Sequence, residues 1–200
     1  MPLSKRLFDL TLSAILVVLL LPVFVLLAIL VLLFIGPPVL FRQQRPGYKG
    51  SPFFILKFRS MTAAPDASER EPDDAARLTP FGRLMRSLSL DELPELLNIL
   101  RGDMSFVGPR PLLMQYLSLY SPQQMHRHDA YPGLTGWSQV HGRNALDWKS
   151  RFELDVWYVD HWTFWLDMKI LLLTIWKVLK REGINQPGAA TMDYFTGNRD

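Results

Sequence analysis

Residues 14–35 form an unbroken apolar run of 22 residues, and no other feature of this chain constrains its fold so strongly. A helix rises about 1.5 Å per residue, so this run is long enough to cross a hydrocarbon core of about 30 Å. It is longer than the apolar part of a secretion signal, and no small-residue cleavage pattern follows it. The sequence therefore predicts an N-terminal membrane element.

Pro22 and the charges on both sides of this run leave two membrane arrangements open. The proline lies inside the run, where it removes a helix hydrogen bond and bends the axis. Both flanks are basic: Lys5 and Arg6 precede the run, and Arg42, Arg45, Lys49, Lys57 and Arg59 follow it. Positive flanks prefer the cytoplasmic side, which a straight span satisfies at one end and a re-entrant helix at both. We take a re-entrant helix over residues 1–37 as the prediction, with a straight span as the alternative.

The composition narrows the functional classes. The chain contains no cysteine, which excludes disulfides and thiolate metal sites and fits a reducing compartment. The formal net charge is +3, and five of the 19 acidic residues lie within residues 62–80, so the rest of the chain is more positive. Such a surface suits an anionic bilayer and a phosphorylated ligand. The sequence has no nucleic-acid recognition motif, Walker loop or dinucleotide fingerprint, so no nucleic-acid partner is expected.

Residues 38–200 are predicted to form one catalytic domain of the α+β class, mainly α. Residues 39–43 and 53–59 have the pattern of two short strands in a hairpin. In the second strand, Lys57 is either a solvated edge residue or a cation turned into a site. Residues 62–78 are rich in Ala, Asp, Glu and Pro and are predicted to form a mobile loop.

Two helices are predicted between residues 79 and 102. Thr79 and Pro80 suit the N-cap and the first position of the first helix. In the second helix leucines recur at i, i+3, i+4 and i+7, and Gly102 suits its C-terminal cap. These leucines are Leu93, Leu96, Leu97 and Leu100.

The start of the second helix has two interpretations. Ser89 and Glu92 have the spacing of a capping box. Alternatively, Asp91 is the N-cap, which places Pro94 where no amide donor is needed. Both interpretations put Asp91 near the positive end of the helix, where anions bind.

Aromatic residues are frequent from residue 148 onward, and basic residues lie among them. They are Trp148, Trp157, Tyr158, Trp162, Phe164, Trp165 and Trp176, with Lys169, Lys177, Lys180 and Arg181 close by. Residues 166–179 carry too much charge to span a bilayer, but their amphipathic pattern suits the membrane interface. We predict interfacial helices packed on a compact catalytic core, with a buried core helix as the alternative.

Asp91 and Glu92 are the candidate catalytic residues and the candidate ligands of Mg²⁺. Adjacent residues of a helix point about 100° apart, so the two carboxylates suit unlike roles rather than a shared proton. Carboxylates bind Mg²⁺ together with substrate phosphates, and a carboxylate can attack phosphorus. Arg110, between two prolines, suits forked contact with a phosphate. Taken alone, an acidic pair at a helix start is usually a cap, and a Gly-Pro-Arg-Pro segment is usually a turn.

Five segments carry a family resemblance. They are residues 57–61 (KFRSM), 86–94 (RSLSLDELP), 102–111 (GDMSFVGPRP), 132–136 (PGLTG) and 142–144 (GRN). Together they resemble the bacterial sugar transferases, and more closely the small monotopic phosphoglycosyl transferases of the PglC type. The resemblance implies transfer of a sugar-1-phosphate from a UDP-sugar to undecaprenyl phosphate, with release of UMP. It also implies that the active site lies at the cytoplasmic face of the bacterial inner membrane and that the reaction is the first membrane step of glycoconjugate assembly.

The resemblance further implies a mechanism and a set of site residues. Asp91 would be the nucleophile that forms a covalent aspartyl-phosphosugar intermediate, and Glu92 its acidic partner near Mg²⁺. The implied substrate-binding residues are Lys57, Arg86, Arg110, Arg143 and Asp155. The family's re-entrant helix often carries Ser-Pro at its bend, whereas this chain has Leu21 before Pro22, so that hydroxyl is missing.

Alternatives to this function stay open at the level of sequence. The lipid phosphate could attack the UDP-sugar directly in a ternary complex, with Asp91 only holding Mg²⁺; ping-pong kinetics would favour the covalent route. A non-enzymatic, membrane-anchored scaffold is a further alternative. Residues 188–197 resemble the tail of enzymes that handle diacetamido-bacillosamine, which is a hint about the sugar. Downstream glycosyltransferases are candidate partners, and no oligomeric state follows from the sequence.

Overall fold

The computed structural model describes residues 1–62, 77–142, 146–180 and 194–198. The helices in these ranges are α1 (Leu3–Leu19), α2 (Leu21–Phe34), α3 (Pro80–Ser87), α4 (Glu95–Arg101), α5 (Pro122–Met125), α6 (Trp137–His141), α7 (Trp148–Asp160) and α8 (Phe164–Lys180). The strands are β1 (Leu40–Pro46), β2 (Pro52–Phe58), β3 (Ser105–Val107) and β4 (Gly133–Thr135). The predicted α+β class with mainly α structure is confirmed.

The N-terminal apolar run forms two helices rather than one. The axes of α1 and α2 differ by 63°. Pro22 lies in the first turn of α2, where its missing amide has no helical partner to lose, so the predicted bend is confirmed. Within the described ranges no single helix is both long and apolar enough to cross a bilayer, but α1 and α2 together reach that length and composition.

The helix α1 buries a stripe of polar side chains and leaves many apolar side chains exposed. Lys5, Asp9 and Ser13, at i, i+4 and i+8, are all buried. Apolar side chains of α1 and α2 are exposed instead, among them Leu7, Val18, Leu19, Leu33 and Phe34. A helix on the surface of a water-soluble domain shows the opposite pattern.

Lys5 joins α1 to three other elements in the interior. Its Nζ donates to the Val107 carbonyl of β3 at 2.9 Å and to the Tyr158 hydroxyl of α7 at 3.4 Å. It also forms a buried ion pair with Asp167 of α8. The same carboxylate accepts hydrogen bonds from the Tyr158 hydroxyl and the Trp162 indole. A buried charge is stable only with such a full set of partners.

Two neighbouring side chains of α1 hold α4 and β3. Arg6 donates to the carbonyls of Ile99 and Leu100 at 2.7 and 2.8 Å, at the C-terminal end of α4, where a cation is favourable. Asp9 accepts a hydrogen bond from the Phe106 amide at 3.2 Å. The first turns of α1 are therefore part of the core of the domain.

The predicted hairpin is confirmed, because β1 and β2 pair antiparallel with Leu40 opposite Phe58. The first strand extends to Pro46, three residues beyond the predicted end. Met61 and Leu78 pair at the base of the predicted mobile loop. Most of that loop, residues 63–76, lies outside the described residues.

Asn98 of α4 covers the other edge of β2. Its Oδ1 accepts from the Leu56 amide at 3.0 Å, and its Nδ2 donates to the Phe54 carbonyl at 2.7 Å. The side chain is fully buried. The amide therefore takes the place of a neighbouring strand and fixes α4 against the hairpin.

The predicted start of α3 and the predicted end of α4 are both confirmed, and capping residues set them. Thr79 Oγ1 accepts from the Gly82 amide at 2.9 Å, so Thr79 is the N-cap of α3. Gly102 follows α4 with φ 91°, a left-handed conformation that favours glycine.

Both interpretations of the start of α4 were wrong. Residues Leu90–Glu92 form a 3₁₀ turn, and α4 begins at Glu95 with Pro94 as its N-cap. Ser89 has a left-handed φ of 56° and makes no side-chain cap. The Glu92 carboxylate does not reach back to Ser89, because cations from elsewhere in the fold hold it.

The sequence did not predict the parallel pair β3–β4, which brings two of the motif segments together. Ser105 lies opposite Gly133, and Val107 opposite Thr135. A Cβ on Gly133 would lie 2.1 Å from the Gly108 amide nitrogen, so the two backbones can meet only without side chains there.

The helix α8 has one buried face, as expected of a core helix, and one exposed aromatic and apolar face, as expected of an interfacial helix. Asp167 and Ile170 are buried against the core. Trp165, Leu172 and Trp176 are exposed, and Lys180 lies 4.5 Å from the centroid of the Trp176 ring.

We expect Asn98→Ala to destabilise the fold by about 2–4 kcal/mol, because it leaves two buried backbone groups of β2 unpaired. Thermal unfolding in detergent would measure this loss. Arg101→Ala, at an exposed position of the same helix, is the control and should change stability by no more than about 0.5 kcal/mol. Equal melting temperatures for the two variants would contradict this role of Asn98.

Candidate active site

Glu92 lies between two cations that come from distant parts of the chain. Its Oε1 accepts from Lys57 Nζ at 2.6 Å and from Arg110 at 2.5 Å. The Glu92 and Lys57 side chains are only 17% and 19% exposed. Lys57 is therefore turned into this charge cluster, and its interpretation as a solvated edge residue is excluded.

The charges in this cluster set its protonation states. Burial alone would raise the pKa of Glu92, but Arg110 and Lys57 together hold it well below its ordinary value. Burial disfavours the charged form of Lys57, but Glu92 and Glu95 outweigh this and raise its pKa. The pKa of Arg110 is raised as well, chiefly by Glu92. All three groups are charged at neutral pH.

Asp91 differs from its neighbour in environment. It is 7% exposed, and burial followed by the charge of Glu92 raises its pKa above the ordinary value. Lys57, Arg86 and Arg110 act against that shift without cancelling it. The pKa values of the two adjacent carboxylates are thus shifted in opposite directions, which agrees with unlike chemical roles.

Glu95 is a third acid of the cluster, and the sequence analysis missed it. It is 1% exposed, and its Oε1 lies 3.1 Å from Lys57 Nζ. That atom has no well-directed hydrogen-bond partner among the described residues. Burial raises the pKa of Glu95 to about 7. Its spacing of four residues from Asp91 was the available signal, since i and i+4 share a helix face.

A buried network holds the backbone of Arg110 in place. Arg127 donates to the Arg110 carbonyl at 2.7 Å and to the Asp155 carboxylate at 2.7 and 3.1 Å. Ser138 donates to the other carboxylate oxygen of Asp155 at 2.7 Å. Arg127 and Asp155 are both 1% exposed. Asp155 therefore lies behind the Arg110 segment and acts on it through Arg127.

The remaining predicted site residues fall in different places. Arg86, at the end of α3, donates to Ser60 Oγ at 2.9 Å and is close enough to Asp91 to lower its pKa. Arg143 lies outside the described residues. Lys57, Glu92 and Arg110 are in direct contact, whereas Asp155 is not in contact with them.

The donor set of Asp91 and Glu92 fits Mg²⁺ better than a metal that needs a closed protein shell. Within the described ranges, no group of three or more His, Cys, Asp or Glu residues is arranged to hold a metal ion. Mg²⁺ is commonly bound through one or two carboxylates, with water and substrate phosphates as its other ligands. An ion there would compete with Lys57 and Arg110 for Glu92.

A cavity of about 420 Å³ lies elsewhere, between α7 and the C-terminal segment. Its walls include Trp148, Phe152 and Phe195. It contains none of the predicted site residues. The assignment of the candidate site therefore rests on its charge cluster rather than on a deep pocket.

Comparison with known proteins identifies the class of this chain. The family model of the bacterial sugar transferases matches residues 2–181. The chain belongs to that family, and the predicted transferase class is confirmed.

Similar proteins come from diverse bacteria. The chain is 55% identical over 197 residues to an uncharacterized sugar transferase, EpsL, of Bacillus subtilis, covering 98% of this chain and 97% of that protein. It is 42% identical over 184 residues to a UDP-glucose:undecaprenyl-phosphate glucose-1-phosphate transferase of Caulobacter vibrioides. These residues cover 86% of this chain and 68% of that protein. A protein of the same name in Escherichia coli is 38% identical over 189 residues, but these cover 88% of this chain and only 40% of that relative.

We expect Glu95→Gln to stabilise the protein above pH 7 and to have little effect near pH 5. The pKa of Glu95 is higher in the folded protein, about 7, than its ordinary value of 4.5. The folded state therefore binds more protons between these values, and the acid lowers stability progressively as pH rises through them. The expected gain at pH 8 is about 1–3 kcal/mol.

Thermal unfolding of both proteins from pH 5 to pH 8 would test this dependence. Glu153→Gln changes an exposed acid of α7 in the same way and serves as the control. A stability difference between Glu95→Gln and the wild type that does not vary with pH would contradict the expectation.

Proposed function

We propose that this protein transfers a sugar-1-phosphate from a UDP-sugar to undecaprenyl phosphate and releases UMP. The observation that carries the proposal is the cluster in which Glu92 holds Lys57 and Arg110 beside the buried Asp91. Two cations and two carboxylates suit a reaction at a diphosphate. The activity for which the Caulobacter relative is named supports the same reaction class for this chain.

In the first step Asp91 attacks the β-phosphorus, which carries the sugar. A bond forms between a carboxylate oxygen and phosphorus, the bond to the bridging oxygen breaks, and UMP leaves with that oxygen. The raised pKa of Asp91 makes its ionised form more basic and hence more nucleophilic. Lys57 and Arg110 would stabilise the charge that develops on the phosphoryl oxygens.

In the second step the undecaprenyl phosphate attacks the aspartyl phosphate. A new diphosphate bond forms to the lipid, and the bond to Asp91 breaks to restore the carboxylate. Direct attack in a ternary complex would need no such bond, and ping-pong kinetics would distinguish the two routes.

Asp91 and Glu92 would hold Mg²⁺, which supplies charge neutralisation for the diphosphate. The chain's own cations share this task, because Glu92 holds Lys57 and Arg110 together at one oxygen of its carboxylate.

We propose that α1 and α2 enter the bilayer and return to the cytoplasmic face as a re-entrant pair. The bend of 63° and the buried polar stripe of α1 support this arrangement. Exposed apolar side chains cost free energy in water and little in lipid. The exposed face of α8, with Trp165 and Trp176, would lie at the interface. Such anchoring holds the site at the depth of the lipid phosphate.

Asp91→Asn is expected to abolish UMP release while leaving the fold intact, because the amide cannot attack phosphorus. The assay uses detergent-solubilised protein with Mg²⁺, undecaprenyl phosphate and a panel of UDP-sugars that includes UDP-glucose. Wild-type release should require all three components. Turnover by the variant at the wild-type rate would rule out Asp91 as the nucleophile.

Arg110→Ala should lower kcat by about 10²-fold, as expected for loss of a cation that stabilises the transition state. Arg83→Ala removes an exposed arginine of α3 and should leave kcat unchanged. Equal rates for the two variants would make Arg110 a structural residue.

The membrane arrangement can be tested by labelling, because the chain has no native cysteine. Ser4→Cys and Ser51→Cys place single exposed thiols in the first turn of α1 and between β1 and β2. A re-entrant pair predicts that an impermeant maleimide labels both in inverted vesicles and neither in intact spheroplasts. Labelling of the two thiols from opposite sides would establish a straight span. Labelling after permeabilisation is the control for reactivity.

A further inference from the structure

We propose that Arg45 binds a phosphate group of a substrate, at the far end of a row of cations that includes Lys57 and Arg110. The inference rests on the proposed function, since it extends the same site. Among the residues of this row, Arg45 was singled out by the sequence only as one of the charges that flank the membrane helix.

The hairpin places Arg45 and Lys57 on one face. Arg45 lies opposite Phe53, and directly paired residues of antiparallel strands project to the same side. Phe53 and Lys57 are four residues apart in β2 and therefore also share a face. At about 3.3 Å per residue, the two cations leave the hairpin about 13 Å apart.

Arg110 interacts electrostatically with both Lys57 and Arg45. It pairs with the same Glu92 that holds Lys57. Burial, and after it the charge of Arg110, lowers the pKa of Arg45 to about 10. Glu95, Tyr116 and Tyr120 act in the opposite direction without cancelling this shift. Arg45 therefore stays charged at neutral pH beside another arginine.

The partners of Arg45 do not neutralise it. Its terminal nitrogen donates to the Gln43 amide oxygen at 2.5 Å, and this oxygen is neutral. Its Nε is buried without a hydrogen-bond partner in the described part of the chain. Lys57 and Arg110, by contrast, each contact a carboxylate. In this row Arg45 thus combines an unsatisfied buried donor with a charge that no described carboxylate contacts, and an anionic oxygen would satisfy both.

A phosphate fits that requirement, and the arrangement of the cations indicates which one. Backbone positions about 13 Å apart leave room for the long Arg45 and Lys57 side chains to approach two neighbouring phosphates from opposite ends. With the β-phosphate beside Asp91, Lys57 and Arg110, the next phosphate of a UDP-sugar is the one that leaves in UMP. The acceptor lipid carries a phosphate of the same chemistry and is the other source.

Binding of UMP and uridine to the full-length protein in detergent, followed by calorimetry, would test the contact without turnover. Arg45→Gln should weaken UMP binding by about 10- to 100-fold and leave uridine binding unchanged, because a charge-assisted contact to phosphate is lost. Arg42→Gln is the control, since Arg42 is an exposed arginine of the same strand that lies over the Phe54 ring. The KM for undecaprenyl phosphate, measured on the same variants, tests the second source.

Each outcome has a definite meaning. Weaker UMP binding in Arg45→Gln assigns the contact to the nucleotide phosphate, and a raised KM for the lipid alone assigns it to the acceptor phosphate. If Arg45→Gln matches Arg42→Gln in both measurements, the proposal is overturned. If Arg45→Gln does not fold, Arg45→Lys replaces it; this variant keeps the charge but not the fork and should weaken binding several-fold.

Failure of the proposed function would be recognised separately. In that case the wild-type protein would release no UMP from any UDP-sugar, whereas the comparison of UMP binding between the variants would still decide the role of Arg45.

Discussion

The buried ion pair between Lys5 and Asp167 connects the N-terminal helix α1 to the core of the domain. Lys5 contacts β3, α7 and α8 at once, and Arg6 and Asp9 beside it hold α4 and β3. Removing one partner of such a pair leaves a buried charge uncompensated, which typically costs about 3–5 kcal/mol. The position of α4, and with it that of the adjacent acidic pair, therefore depends on α1. The helix that we propose as part of the membrane anchor therefore also orients the candidate catalytic residues.

Charge compensation explains why two adjacent carboxylates behave differently. Glu92 meets two cations and stays ionised, whereas burial dominates at Asp91 and raises its pKa. The same contacts explain the local backbone. Once Lys57 and Arg110 bind Glu92, its side chain is not available for a capping box, and the helix begins at Glu95, five residues beyond the start that the box would give. A helix start that looks ordinary in sequence is thus altered by contacts within the candidate site.

Local signals predicted the elements whose ends depend on their own residues. The N-cap at Thr79, the C-terminal glycine at Gly102 and the hairpin depend on interactions within a few residues, so propensity and pattern were sufficient. Contacts between distant segments were not predictable in this way. The parallel pair β3–β4 joins segments about 28 residues apart, and neither segment is long enough to show a strand pattern. Arg127 and Glu95 were missed for the same reason, because their importance arises from partners in other elements.

The sequence by itself determined the membrane-length apolar run, the bend at Pro22 and the mainly helical class. It also singled out the acidic pair and Arg110 as candidate site residues. Each of these features depends on the composition, the residue spacing or a long motif within one chain segment, so it can be predicted from that segment alone. Only the tertiary structure decided that Lys57 faces the site, that Asp155 supports Arg110 through Arg127, and that polar residues of α1 point inward. The physical reason is that burial and Coulomb interactions depend on distances between groups far apart in the chain, and those distances exist only after folding.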